Sequence, residues 1–273
     1  MSSPKKNALW FTLYGILITM AFLYLLFPSD IVKNKLEEAF NASDFILKSG
    51  SMKPSLPLGV KFSDITVTSA SSGNTPFQGR SLDLQFHPIS LFQKNKSIGL
   101  NGRAYGGKFK GHVGLSSFSK AYPPKTWDLN LTDIDLDKYT FIESLIGKAV
   151  TGKANGSLSY DSTGKSGSSS GAIALTLSRG SYPLSESFLG MNHIAYDSAE
   201  IKAKLQNGVL KVERFDVSGP QIKCSLKGEI TLADYFQNSR LNLNGEIELL
   251  GQNKAKIKVT VSGTPANPEL RYI

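Results

Sequence analysis

One cysteine, Cys224, and three histidines, His87, His112 and His193, are all the thiolate and imidazole ligands that 273 residues offer. A lone cysteine cannot close an intrachain disulfide. With three scattered histidines it cannot build a multi-cysteine zinc or iron–sulfur site either, so no resident metal or cofactor is expected. The same scarcity narrows the nucleophile and base pairs an enzyme would need. Apolar material is not scarce: 40% hydrophobic and 10% aromatic residues suffice for a core and exclude a wholly disordered chain. The 25 Gly and 12 Pro follow no fixed period, which excludes collagen and predicts short elements joined by many turns.

Charge is absent from one long stretch. Between Ala8 and Phe27 the 20 residues ALWFTLYGILITMAFLYLLF carry none. That is about 30 Å of helix, the thickness of a bilayer's hydrocarbon core. The stretch predicts a transmembrane helix with ends at Ala8 and Phe27, and Trp10, Tyr14 and Tyr24 suit the two interfaces. A signal peptide is the competing reading, because Lys5 and Lys6 precede the run. Its apolar core would span about 7 to 15 residues and end at a small-x-small site. Here the run ends in Phe27-Pro28-Ser29-Asp30, so retention as an anchor is expected. A buried core helix accounts less well for unbroken apolarity with aromatics at both ends. Lys5 and Lys6 on the short N-terminal side favour a cytoplasmic N-terminus, since beyond the run Lys33 and Lys35 are mixed with Asp30, Glu37 and Glu38.

Three regions follow: residues 1–28 as tail and span, 29–47 as a juxtamembrane amphipathic helix, and 48–273 as an extracytoplasmic β domain. In the second, Val32, Leu36, Ala39 and Phe40 recur at helical spacing, either to plug one end of the next domain or to lie on the membrane. The stretch from Lys48 to Gly59, with Pro54 and Pro57, reads as a loop. From Val60 the period becomes two: Leu82-Leu84-Phe86, Phe109-Val113-Leu115, Trp127-Leu129-Leu131, Ile173-Leu175-Leu177, Ile201-Ala203-Leu205, Ile222-Cys224-Leu226 and Ala255-Ile257-Val259-Val261 alternate with polar residues. Strands with one apolar and one polar face belong to antiparallel sheet. Asn207-Gly208 is the clearest hairpin turn. Short helices are expected in Asp137–Val150 and near Leu232–Gln237. The stretch DSTGKSGSSSG, 161–171, is expected as a mobile loop.

The expected fold is therefore mainly β: a transmembrane helix, then an elongated, curled antiparallel sheet with a few short helices. An open sheet would make its apolar face a groove or flattened half-barrel; a sheet folded on itself would make it a core. Under the groove reading Ile222, Cys224, Leu226, Ile257 and Val259 are lining candidates.

The span ending in Phe27-Pro28-Ser29-Asp30, the entry Leu56-Pro57-Leu58-Gly59-Val60-Lys61-Phe62 and the hairpin from Ile98 through Tyr105-Gly106-Gly107 to Gly111 together resemble the type II secretion system protein N family. They also resemble the broader AsmA-like group of envelope proteins. The second half continues the likeness in Asn207–Val212, Phe215–Pro220, Gly228–Leu232 and the closing Ser262–Pro268. The resemblance covers nearly the whole chain. It implies a bitopic protein of the bacterial inner membrane with a periplasmic β domain that associates with other secretion-system subunits, and no catalytic residues. The AsmA-like alternative implies binding or transfer of lipid acyl chains. AsmA-like proteins that bridge two membranes are often far longer, which favours an accessory subunit.

Signatures of catalysis fail on inspection. Gly167-Ser168-Ser169-Ser170-Gly171 spells G-x-S-x-G, but it lies in a Ser/Gly-rich stretch without the strand–turn–helix setting that motif needs. Gly164-Lys165-Ser166 lacks the glycine five positions earlier, where Ser159 stands. Asp133, Asp135 and Asp137 would share a strand face, conceivably as calcium ligands but more simply as a solvated face. Cys224 falls on the apolar face, a small buried hydrophobe. The net charge of +9 is spread over polar strand faces, as in Lys108/Lys110, Lys202/Lys204, Lys223/Lys227 and Lys254/Lys256/Lys258. With no basic helix and no interleaved aromatics, nucleic acid is not an expected partner. The charge suits attraction to an anionic lipid surface or an acidic partner, or simple solubility of the polar strand faces.

Overall fold

The computed structural model describes residues 4–41, 45–56, 58–70, 73–86, 96–115, 124–164, 168–188, 191–250 and 255–272. Helices α1 (Pro4–Leu25) and α2 (Ser29–Asn41) come first. Strands β1 (Phe45–Ser55), β2 (Gly59–Ser69), β3 (Phe77–Phe86), β4 (Lys96–Ala104) and β5 (Gly107–Leu115) follow. Next are β6 (Thr126–Asp135), a short helix α3 (Phe141–Ile146), β7 (Lys153–Asp161), β8 (Ser170–Phe188) and β9 (Met191–Gln206). The last are β10 (Val209–Ser218), β11 (Ile222–Thr231), β12 (Arg240–Leu249), β13 (Ala255–Gly263) and β14 (Pro268–Tyr272). They form one antiparallel sheet of 14 strands, each paired with its neighbours in chain order, and the sheet is not closed.

Tight turns keep consecutive strands adjacent. In Tyr105-Gly106 and Asn207-Gly208 both residues have positive φ (51° and 77°, 48° and 80°), the geometry whose twist matches flanking strands. Curl comes from glycines on the apolar face. A Cβ on Gly111 would run into the Asp128 carbonyl, and one on Gly245 into that of Ser225. Only a bare backbone allows strands to bend that closely. The curl brings α3, between β6 and β7, against the 3-10 turn Phe236–Asn238 between β11 and β12.

Several expectations need correction. The segment Lys48–Gly59 is not a loop: most of it is β1, in register with β2 from Phe45↔Ser69 to Ser55↔Gly59. Pro54 is tolerated there because β1 is an edge strand. Helix α2 stops at Asn41 and Phe45 already begins β1, so the amphipathic helix is shorter than 29–47. Between Asp137 and Val150 only Phe141–Ile146 is α-helical, and Leu232–Gln237 yields the turn Phe236–Asn238. Asp133, Asp135 and Asp137 do not share a face: the register shifts between Leu131 and Ile134, and Asp133 has φ 54°. Asp135 instead binds Lys138 at 2.9 Å, and Asp137 accepts the Gly152 N–H. No group of three His, Cys, Asp or Glu side chains among the described residues could hold a metal. Likewise, among the described residues no helix is long and apolar enough to cross a membrane.

Candidate functional site

Following register from strand to strand gathers the large apolar side chains of the alternating segments on one face. A single row runs Val60–Leu84–Leu100–Gly111–Leu129–Leu158, then Ile173–Ala203–Val212–Gly228–Leu243–Val261–Leu270. Not one member is polar. The face is therefore continuous across the sheet, and what varies is its cover.

At the N-terminal end the cover is α2. Phe27, Val32 and Leu36 pack on a buried cluster of Met52, Val60, Phe62 and Ile65. Glu37 ties the helix to the edge of β1, accepting from both the backbone N–H and the hydroxyl of Ser49 at 2.9 Å. At the C-terminal end the sheet covers itself. Ala203, Val212, Ile222, Leu226, Ile230, Leu241, Leu243, Ile247 and Val259 form one buried cluster.

The expected lining residues lie in that second cluster. Ile222, Leu226 and Val259 are buried, Val259 to 1% exposure, and Cys224 and Ile257 are half-buried against them. They form a core. Burial pushes the Cys224 thiol up to about 11, with the nearby Asp216 charge adding to it. A thiol held protonated is a poor nucleophile.

The more open part of the face is in the middle, on β4–β8, although Phe109 and Leu115 of β5 are buried there. Ile98, Leu100, Val113, Trp127, Leu129, Leu158, Tyr160 and Leu175 are only half-buried, and none packs in either cluster or in the third, around Ile134 and Leu136 beside α3. Trp127 and Tyr160, paired across β6 and β7, stack at 6.1 Å with 24° between their planes. Alternation marked these positions as apolar. It could not mark them as uncovered.

Two shallow troughs lie on the sheet. The larger, about 720 Å³, lies at the ends of β4–β9, where polar-face residues His112, Asp128, Ser159 and Lys204 meet Trp127 and Tyr160 of the open strip. His112 pairs with Asp128 at 3.3 Å, and Asp128 separates it from Ser159 in the row, so histidine and serine are not adjacent. The smaller, about 500 Å³, is lined by Glu200, Asp216, Lys223, Glu246, Glu248 and Lys256 among others. Two lysines of the polar strand faces are engaged, Lys202 with Glu200 and Lys204 with Glu213, both at 2.7 Å. Side-chain hydrogen bonds from Lys202 and Arg214 hold the Glu200 carboxyl below its usual range. His193 pairs with Pro183 on β8, far from His112 in register, and His87 lies outside the described residues. Of the Ser-rich stretch, Ser170 already belongs to β8 and residues 165–167 lie outside the described residues.

On α1 the expected interface aromatics Trp10, Tyr14 and Tyr24 are all exposed, together with Leu9, Phe11, Leu13 and Leu17. Ala8 belongs to the helix, but its side chain lies outside the described residues. Phe27, the expected far end of the span, lies beyond α1 and packs on the sheet domain instead. No family model matches the chain, and neither does any curated protein or solved structure.

Proposed function

We propose that this chain is a bitopic accessory component of a type II protein secretion system in the bacterial inner membrane, with its N-terminus cytoplasmic and its sheet periplasmic. The reading takes the secretion family from the sequence resemblance. Its structural support is one observation: a helix that is uncharged from Ala8 onward and carries exposed apolar side chains is joined, through Phe27 and α2, to a sheet whose apolar face is half-open on β4–β8. Helix α1 anchors the molecule, α2 docks the sheet to the anchor, and the open strip engages an apolar partner segment from another secretion subunit. No catalytic residue takes part. Gentle crosslinking in membranes followed by purification of the full chain should recover secretion subunits, and recovery of none would refute the proposal.

A second reading, an AsmA-like lipid-binding or lipid-transfer protein, is favoured by the chemistry of the strip itself. Eight half-buried apolar side chains on one strip suit an acyl chain as well as a protein segment. Mass spectrometry of the purified protein decides between them: co-eluting lipid supports the second reading, and lipid-free protein removes it.

A further inference from the structure

The turn between β1 and β2 exposes two leucines, Leu56 at 63% and Leu58 at 43%. An isolated exposed leucine is unremarkable. This pair has company: immediately behind the turn Lys53 stands directly opposite Lys61, both exposed and neither in an ion pair among the described residues. Like charges facing each other across an antiparallel pair destabilise it. Asp83, next in the row beyond Lys61, accepts hydrogen bonds from Ser55 and Gln85 instead.

The turn also lies close to where the chain leaves the anchor. Helix α2 runs antiparallel to β1, because Glu37 meets Ser49, Lys33 meets Gly50, and Phe27 and Val32 reach the cluster around Met52. From Glu37 back to Ser29 is about 12 Å of helix. At about 3.3 Å per strand residue, that sets Ser29 level with Lys53, roughly 10 Å short of Leu56.

We infer that the β1–β2 turn is a second membrane contact, in which Leu56 and Leu58 insert into the leaflet beside the anchor while Lys53 and Lys61 pair with anionic headgroups. The inference rests on the anchored reading above. It assigns two facing lysines, which share the single carboxylate of Asp83 in their row, a further counter-charge in the headgroups, and it fixes the sheet to the bilayer at two points rather than one, limiting its swing about Pro28.

The test uses the full chain in vesicles of zwitterionic lipid with or without anionic lipid. Leu56→Cys carries a polarity-sensitive fluorophore; unsubstituted chain treated identically measures labelling of Cys224. A second variant, Leu17→Cys, corrected for Cys224 labelling in the same way, reports the anchor. The expected result is a blue-shifted Leu56→Cys probe, quenched several-fold by nitroxide lipid in anionic vesicles, with quenching reduced when Lys53→Gln and Lys61→Gln are added. A water-like, unquenched probe at 56 beside a quenched probe at 17 overturns the inference and leaves the anchor standing. If both probes stay unquenched, the anchor fails and the inference falls with it.

Discussion

Strands β4–β8 and β9–β13 obey the same alternation, yet one set leaves its apolar face half-open and the other closes it. In β11 every second residue from Ile222 to Ile230 is apolar or glycine, as in β6 from Trp127 to Leu131. Ile222 is nonetheless 2% exposed, while Trp127 and Leu129 remain half-buried. The difference lies in what sits opposite. The side chains of β9–β13 pack into one buried cluster, α2 covers β1–β3, and α3 packs beside Ile134 and Leu136 with Leu177 and Tyr182, away from the strip around Trp127. A face is a property of period; its cover is a property of curvature.

The largest expected effect comes from a charge on each side of this contrast. Val259→Asp places a carboxylate in the closed cluster without a partner, at a cost of several kcal/mol, enough to abolish cooperative unfolding of the C-terminal strands. Leu129→Asp, in the open strip, should cost about 1 kcal/mol or less, because the carboxylate there reaches water. Urea denaturation followed by tyrosine and tryptophan fluorescence measures both. Equal losses would mean that the two regions are covered alike.

Curvature itself is the next target. Gly245→Val drives a branched side chain into the Ser225 carbonyl and should cost about 3 kcal/mol, as overpacking in a core does. Asn207→Gly, at a turn position already in the left-handed region, should leave stability within about 1 kcal/mol. Thermal unfolding separates the two, and a Gly245→Val protein as stable as wild type would remove glycine-dependent curl from the account.

These pairs also show how far the sequence could be read. Every alternating segment lies in a strand, because a half-buried strand imposes period two on its residues. β1 went unread because Pro54 and Pro57 signal a break, and only its edge position and pairing with β2 make Pro54 acceptable. β14, with exposed residues throughout, has no hidden face to leave a signature. The site was half-legible. Alternation named the apolar face but steered the lining to Ile222, Leu226 and Val259, which curl then buried; the uncovered strip around Trp127 and Tyr160 depends on contacts among strands distant in sequence.

Smaller in stability terms is Trp127→Ala. It removes the stack on Tyr160 and part of the open strip, for about 1 to 2 kcal/mol. Its main consequence should be lost capture of the apolar partner, protein or acyl chain, read as reduced crosslinking or reduced co-eluting lipid at unchanged secondary structure. Ile257→Ala, in the closed cluster, should reverse the order, lowering stability more and capture less. If both variants lose capture equally, the open strip is not the contact.

The smallest perturbation alters no residue. Cys224 belongs to the closed region, and burial raises its thiol from an ordinary 9.0 to about 11. At pH 8 the folded thiol carries about a hundredfold less thiolate than an unfolded one, so alkylation should be slow in buffer and fast in urea. The unfolded thiol ionises near pH 9 and the folded one near 11, so this group's contribution to stability is complete below pH 9 and is lost as pH rises toward 11. Alkylation rates measured from pH 7 to 10 in the intact chain should therefore track global unfolding. Rapid reaction at neutral pH would show that the C-terminal strands open on their own, and would put the closed region in the same class as the open strip.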